Sequence, residues 1–188
     1  MVLTDEVLID GCKRHDRHMQ QKLYDKYSKS MYVVALRYSR MQQEAEDILQ
    51  EAFVKVFQSI DRFRGESSLP YWIKRIVINT ALNHQRSKLY LFPMVDITEL
   101  QTQGKAANVL SDLGYNELLK MVQELPDGCR IIFNLYAIEG YKHQEIADLL
   151  EISEGTSKSQ YARAKMLLQG KVINQYGKQY ERRREYGG

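Results

Sequence analysis

From Gln42 to Ile60 the apolar residues Ala45, Ile48, Leu49, Ala52, Phe53, Val56, Phe57 and Ile60 recur at intervals of three and four. That spacing collects them on one side of an α-helix. Asp47, Gln50 and Glu51 fall on the other side. Upstream, Thr4 is placed to cap a helix bearing Val7, Leu8 and Ile9, and a second helix carries Leu23, Tyr27, Met31, Val34 and Leu36. Gly11 is expected to separate or kink the two. Downstream, the stretch DRFRGESSLP supplies a glycine, two serines and a proline. Ser67 or Ser68 can cap a new helix there, with Pro70 in its first turn. This helix should run from about Tyr71 to Ser87, with Trp72, Ile73, Ile76, Val77 and Thr80 on or near its buried side.

From Lys88 to about Ser111 the periodicity fades among Pro93, Gly104 and scattered polar residues, which reads as a flexible linker. Leu118, Val122 and Leu125 then lead to Pro126, and Ile131, Ile132, Leu135 and Tyr136 lead to Gly140. No run of period two is sustained anywhere, and only three prolines interrupt the chain. The fold class is therefore all-α, with two small helical domains joined by a flexible linker. The end, QYERRREYGG, reads as a basic, frayed tail.

The segment YKHQEIADLLEISEGTSKSQYARAKMLL, Tyr141 to Leu168, breaks its helical periodicity once, at Glu151 to Ser153, and resumes at once. Two short helices joined by a tight turn, with apolar residues on both, describe a helix-turn-helix. His143 to Leu150 forms its first helix and Glu154 to Leu168 its second, with Ser153 as N-cap. Ile146, Leu150, Ile152, Tyr161, Ala164 and Leu168 can share one core. Lys158, Ser159, Gln160, Ala162, Arg163 and Lys165 would then face a partner. Such a second helix can enter the major groove of DNA, where Arg, Lys, Ser and Gln side chains read base edges. The same pattern is also met by a packed helical hairpin with a solvated charged face.

Charge enters through its distribution. The formal net charge is +3 in 188 residues, too little to announce a nucleic-acid partner. Yet between Arg62 and Lys88 the bases Arg62, Arg64, Lys74, Arg75, Arg86 and Lys88 face only Asp61 and Glu66, interleaved with Phe63, Tyr71, Trp72, Asn79 and Asn83. Cations neutralise phosphates, aromatic faces stack on bases and amides read base edges, a combination suited to unpaired nucleic acid. The plainer reading of Trp72 and Phe63 is as core residues. Cys12 and Cys129 are far apart and in no CxxC pair, and the four histidines form no HExxH. Neither a disulfide framework, a zinc site nor another cofactor site is indicated. No catalytic constellation and no glycine-rich phosphate loop is present, so an enzyme is not expected. The apolar runs, such as Met31 to Leu36, are too short to span a bilayer and the start lacks a secretory signal, so the expectation is a cytoplasmic protein without membrane insertion.

Two blocks together resemble one family. EAEDILQEAFVKVFQSIDRFRGESSLPYWIKRIVINTALNHQRSK, Glu44 to Lys88, is similar to region two of the extracytoplasmic-function (ECF) sigma factors of bacterial RNA polymerase, members of the sigma-70 family. LPDGCRIIFNLYAIEGYKHQEIADLLEISEGTSKSQYARAKMLL, Leu125 to Leu168, is similar to their region four. The resemblance implies region two over 1–88, a linker over 89–111, region four over 112–172 and a basic tail over 173–188. It implies that Asp47, Gln50 and Glu51 dock on core RNA polymerase. Phe63, Arg64 and Ser67, with Asn79 and Asn83 on the helix that follows, would capture a flipped base of the promoter's minus-ten element. Lys158, Ser159, Gln160, Ala162 and Arg163 would read the minus-thirty-five element.

The implied activity is promoter recognition and strand opening in transcription initiation. The implied partners are core RNA polymerase, promoter DNA and an anti-sigma factor, often membrane-anchored. Three positions depart from the family's pattern. Ser157 stands where an apolar core residue is usual, which leaves either a looser site or a hydroxyl bonded back to its own helix. Gln160 replaces a frequent Arg, and Gln42 and Gln43 replace an Asp-rich run. A stand-alone helix-turn-helix regulator, dimeric on a palindromic site, is the rival reading, and a helical adaptor for protein partners is a third.

Overall fold

The computed structural model describes residues 3–89 and 114–186, with side chains over 3–85, at 114 and over 117–175. These residues form eight α-helices and no strand. The chain divides into two compact units, Met1–Ser87 and Lys88–Gly188. The linker expected over 89–111 lies outside the described residues except for Leu89, which is the last residue of a helix.

The first unit contains α1 (Asp5–Lys13), α2 (Arg17–Tyr38), α3 (Gln42–Ser59) and α4 (Leu69–Leu89), with a 3-10 turn (Ile60–Arg62) after α3. The apolar stripes read from the sequence supply most of its core, with Leu36, Phe57 and Ile76 only partly buried and Val7 exposed. Leu23, Tyr27, Met31 and Val34 of α2, Ala45, Ile48, Leu49, Ala52, Phe53 and Val56 of α3, and Ile73, Val77 and Ile78 of α4 are all buried. Burying each such aliphatic or aromatic side chain contributes about 1.5–3 kcal/mol against leaving it in water. That burial holds helices which would be marginal alone. Two hydrogen bonds tie polar side chains inside the unit. Gln85 Nε2 donates to Glu44 Oε1 at 2.6 Å, and Ser39 Oγ donates to the Ala35 carbonyl at 2.8 Å.

Gly11 does not make the first break. It lies inside α1, and the chain turns at His15, whose φ of 57° is left-handed. Asp16 then caps α2, its carboxylate accepting from the His18 and Met19 amides at 2.8 and 3.2 Å. The glycine serves close approach instead, because a Cβ there would stand 2.5 Å from Met19 Cβ and 2.3 Å from its Cγ.

The second unit contains α5 (Tyr115–Gln123), α6 (Asp127–Phe133), α7 (His143–Leu150) and α8 (Glu154–Tyr186), with a π-helical turn (Asn134–Ile138) after α6. Met121, Val122, Leu125, Cys129, Ala164, Leu168 and Val172 form its core. The tail expected to fray is helical in backbone, since α8 continues through Tyr186. Arg130 is fully buried. Its guanidinium donates to the carbonyls of Gln123 and Leu125 at 3.2 and 3.1 Å and to Asp127 Oδ1 at 2.5 Å. It thereby supplies donors to the open end of α5, where Pro126 has no N–H to offer.

The close approach at Gly11 generates a stability prediction. Gly11→Ala gains at most about 1 kcal/mol of helix propensity but forces a contact whose relief typically costs about 1–3 kcal/mol. A net loss of roughly 1 kcal/mol should lower the melting temperature by about 4–8 °C. Trp72 is the only tryptophan, so its fluorescence follows the first unit by itself. An unchanged or raised midpoint would mean that α1 and α2 separate freely there.

Candidate nucleic-acid interface

The turn between α3 and α4 builds a cleft. Its lining is Asp61, Arg62, Phe63, Arg64, Glu66, Ser67, Trp72 and Arg75, around a volume of about 720 Å³. Gly65 makes the bend possible, with φ of +74° and open space around it. Phe63 and Trp72 meet with ring centroids 5.2 Å apart, tilted by 55°. Both are only partly buried, so each contributes to packing and also presents an aromatic surface to the cleft. Arg64 and Glu66 pair weakly, 3.9 Å apart and mostly exposed. Such pairs contribute little and are easily exchanged for a phosphate.

Of the residues singled out in the sequence for this site, Phe63, Arg64 and Ser67 come together in the cleft. Asn79 and Asn83 do not line it. They are exposed on α4, one and two turns beyond Arg75 on the face that carries Trp72. Asp61, Arg62, Glu66, Trp72 and Arg75 complete the lining. Arg75 belongs to the basic stretch read from the sequence but not to the residues that the resemblance assigns to the minus-ten element.

On α3, Asp47, Gln50 and Glu51 are exposed, and they differ in how free they are. Glu51 accepts from Lys55 Nζ at 2.6 Å and meets His84 Nε2 at 2.5 Å. The Lys55 hydrogen bond, then that of His84, hold its carboxyl below the usual range. Asp47 has no partner among the described residues. Val54, 53% exposed, adds an apolar side chain one turn after Gln50. Its signal in the sequence was that it stands off the apolar stripe of α3.

In the second unit, α7 and α8 form the expected helix-turn-helix. Glu145 reaches back to the Lys142 amide at 2.7 Å and starts α7. Glu151, left-handed with φ of 57°, ends it, and the Ile152 amide closes on the Ala147 carbonyl at 3.1 Å. Ser153 Oγ accepts from the Thr156 amide at 2.9 Å and caps α8. Lys158 is exposed, and Ser159, Ala162 and Arg163 are partly so. Lys158 Nζ lies 2.7 Å from Glu154, an exposed pair that a phosphate or base edge can displace.

Gln160 corrects the sequence reading. It was expected on the outer face but is 4% exposed, and its Oε1 accepts from the Cys129 thiol at 3.1 Å. Ser157, Gln160, Ala164 and Leu168 succeed one another at three and four, so they share the inward side of α8. Burial pushes the Cys129 thiol up, out of the range of a reactive thiolate. Ser157 follows neither alternative drawn from its hydroxyl. It is fully buried, and its Oγ bonds across the turn to His143 Nδ1 at 2.9 Å. The His143 ring stacks on Tyr136 at 4.2 Å, and Tyr136 meets Tyr161 at 4.5 Å. Lys165 Nζ sits 5.0 Å from the Tyr161 ring centroid. This cluster, fed by the π-helical turn that carries Tyr136, sets how α8 leaves α7. Sequence reasoning missed it because its members are polar or aromatic and not aligned in one stripe.

Among the described residues no group of His, Cys, Asp and Glu could hold a metal ion, and no helix is long and apolar enough to cross a membrane. Both cysteines are free and buried.

Known proteins with this pattern were found by sequence and by fold. A family model, sigma-70 region 2, matches residues 23–89, and another, sigma-70 region 4, matches residues 115–168. The ECF RNA polymerase sigma-E factor of Escherichia coli K12 is 27% identical over 182 residues, covering 90% of this chain and 95% of that protein. The RNA polymerase sigma-H factor of Pseudomonas aeruginosa is 29% identical over 173 residues, covering 86% and 90%. In fold, the chain is similar to the sigma factor RpoE of Bartonella quintana, crystallised in complex with the anti-sigma factor NepR. The TM-score is 0.50 at 19% identity, over 82% of this chain and 96% of that one.

The His143 cluster carries a pH prediction. Burial, then the charge of Lys158, hold His143 below its ordinary value of 6.5, with Glu154 opposing. The folded ring therefore stays neutral where the unfolded one begins to take up a proton. Its contribution is fully present above about pH 6.5 and is lost as pH falls through the lower folded value. A ring-proton NMR titration should place His143 below 6.5. Thermal unfolding of His143→Phe, which keeps the ring on Tyr136, should vary less with pH than that of the parent between about pH 7 and 5.

Proposed function

The chain belongs to the sigma-70 family, as an ECF sigma factor with regions 2 and 4, and from this we propose how its residues divide the work of promoter recognition. A sigma factor of this kind binds core RNA polymerase, recognises promoter DNA and promotes strand opening for initiation. It is a DNA-binding initiation factor. The observation that carries the residue assignment is that one chain holds both a cationic, aromatic-walled cleft and an outward helix-turn-helix with a polar, basic face.

In this reading residues 1–88 act as region 2 and 112–172 as region 4, with 89–111 linking them and 173–188 as a basic extension. The cleft takes a base of the minus-ten element that has left the stack. Phe63 and Trp72 supply aromatic surface, Ser67 a hydroxyl, and Arg62, Arg64 and Arg75 the cations for the flanking phosphates. Asn79 and Asn83 continue the track along α4. Extruding a base costs a few kcal/mol. A cleft that accepts only the extruded base converts binding free energy into opening. Lys158, Ser159, Ala162 and Arg163 meet the minus-thirty-five element in the major groove. Gln160 has a different part, holding the helix against Cys129.

Core RNA polymerase docks on the α3 face, with Asp47 and Gln50 as direct contacts and Glu51 as the group that ties α3 to Lys55 and to His84 of α4. An anti-sigma factor competing for these surfaces is the expected regulator, by analogy with the B. quintana complex. The place of action is the cytoplasm, and no cofactor is required. Neither the fold nor the relatives favour a stand-alone helix-turn-helix regulator.

Titration of labelled protein with bacterial core RNA polymerase, without DNA, should saturate at one protein per core. Asp47→Lys should weaken that binding about tenfold or more, a loss of ~1.4 kcal/mol. Asn79→Ala should leave core affinity unchanged and slow strand opening by about the same factor, read with a fluorescent base analogue in the minus-ten element. Absence of saturable binding by the folded parent would overturn the reading. Equal opening by mutant and parent would remove Asn79 from it.

A further inference from the structure

The corner where α1 meets α2 has no part in the assignments above. Lys13 ends α1, and Arg14, His15, Asp16, Arg17 and His18 follow before α2 has completed its first turn. The left-handed His15 folds this run into a tight reversal, and Arg14, His15, Arg17 and His18 are all exposed. None of these four pairs with an acid among the described residues. The one carboxylate in the run, Asp16, accepts from the backbone amides of His18 and Met19. Lys13 Nζ donates to the Phe63 carbonyl at 3.4 Å. The corner is therefore seated against the loop that opens the cleft, and α1 packs on the 3-10 turn that leads into it.

We propose that this corner is a phosphate-binding extension of the cleft, holding the backbone of the nucleotides next to the flipped base. The inference rests on the assignment of the cleft to an unpaired strand. Two cations and two imidazoles with no acid to satisfy them, joined through Lys13 to the loop that carries Arg62 and Arg64, present a polyanion with a ready track. A protein partner would be expected to find apolar or aromatic anchors in the middle of its contact, and Lys13 to His18 contains none. Because the contact is to phosphate, it adds affinity and salt dependence without adding sequence preference.

The test uses the full chain bound to core RNA polymerase. A fork DNA with a single-stranded minus-ten extension is titrated at several salt concentrations, beside the same duplex without the extension. For Arg14→Gln with Arg17→Gln, the slope of log affinity against log salt on the fork should fall by about 1.4, two phosphates at about 0.7 each for a single strand. Binding at the lowest salt should weaken several-fold. Binding of the extension-free duplex and of core should match the parent. Lys29→Gln, an exposed cation three turns further along α2, should leave the fork slope unchanged. A parental slope in the double variant would overturn the proposal, as would an equal loss on both DNAs. A loss of core affinity at unchanged slope would overturn it in favour of an acidic protein surface. If the parent itself gains nothing from the extension, the assignment of the cleft fails first, and that outcome is read from the parent alone.

Discussion

The second unit depends on one buried guanidinium. Arg130 has no exposed surface, and it spans the break between α5 and α6 by donating to two carbonyls before Pro126 and to Asp127 after it. Helices this short do not persist alone in water, and a proline at the junction removes the N–H that would otherwise help close the end of α5. Breaking a buried pair of this kind typically costs about 3–5 kcal/mol, a large share of what holds a small domain together. Everything downstream inherits its position from this joint: α6 presents Cys129 to Gln160, the π-helical turn delivers Tyr136 to His143, and His143 meets Ser157 on α8. The outward face of α8 is thus set by a sequence of contacts that begins at a fully buried residue on another helix.

The first unit uses α3 for two purposes with opposite electrostatics. Its apolar side is consumed in the core, and its outer side is acidic and polar from Asp47 to Glu51. Within one turn of its end the chain becomes cationic, at Arg62 and Arg64. The two groups stand about three turns apart along the chain, and interactions between exposed charges fade over about 8–10 Å at ordinary ionic strength, so each can be presented to a partner separately. The pairs already present there, Glu51 with Lys55 and Arg64 with Glu66, are exposed and contribute at most about 1 kcal/mol each. Little would be lost if a partner replaced them. The ties that keep α3 and α4 in register are better protected: Gln85 to Glu44 lies in the part-buried seam, and Lys55 leans toward Thr80 at 3.4 Å.

Most of the architecture was legible because periodicity reports burial directly. The stripe of α3, the helix after Pro70 and the turn at Glu151 to Ser153 all stand where apolar spacing placed them. What was not legible depended on contacts between residues distant in sequence. Gly11 looks like punctuation, but its role follows from Met19 crossing over it. Gln160 looks like a surface residue by type, and only its spacing from Ser157 and Ala164 marks it as inward. The hydroxyl of Ser157 could be read as a defect until His143 is seen opposite it. In the cleft, Phe63 and Trp72 fit both a core and a stacking pattern, and their partial burial is compatible with either. Polar residues in an otherwise apolar stripe were thus the misread class, since sequence gives their spacing but not their partner.

The two units also explain why neither interface has to be strong. In the proposed assignment, a duplex contact made by a few side chains of α8 and a single-strand contact made in one cleft would each be modest, and each would fall steeply with salt. They are carried on one chain, so once either is made the other proceeds at the effective concentration that the connection imposes, and avidity can exceed both affinities without a further contact. A weak cleft is then an advantage. If it bound unpaired bases tightly by itself, the protein would be drawn to any open strand. With weak binding, the proposed cleft would meet the cost of extruding a base only where the second unit and the polymerase already held the DNA in place, which would confine strand opening to sites that satisfy both.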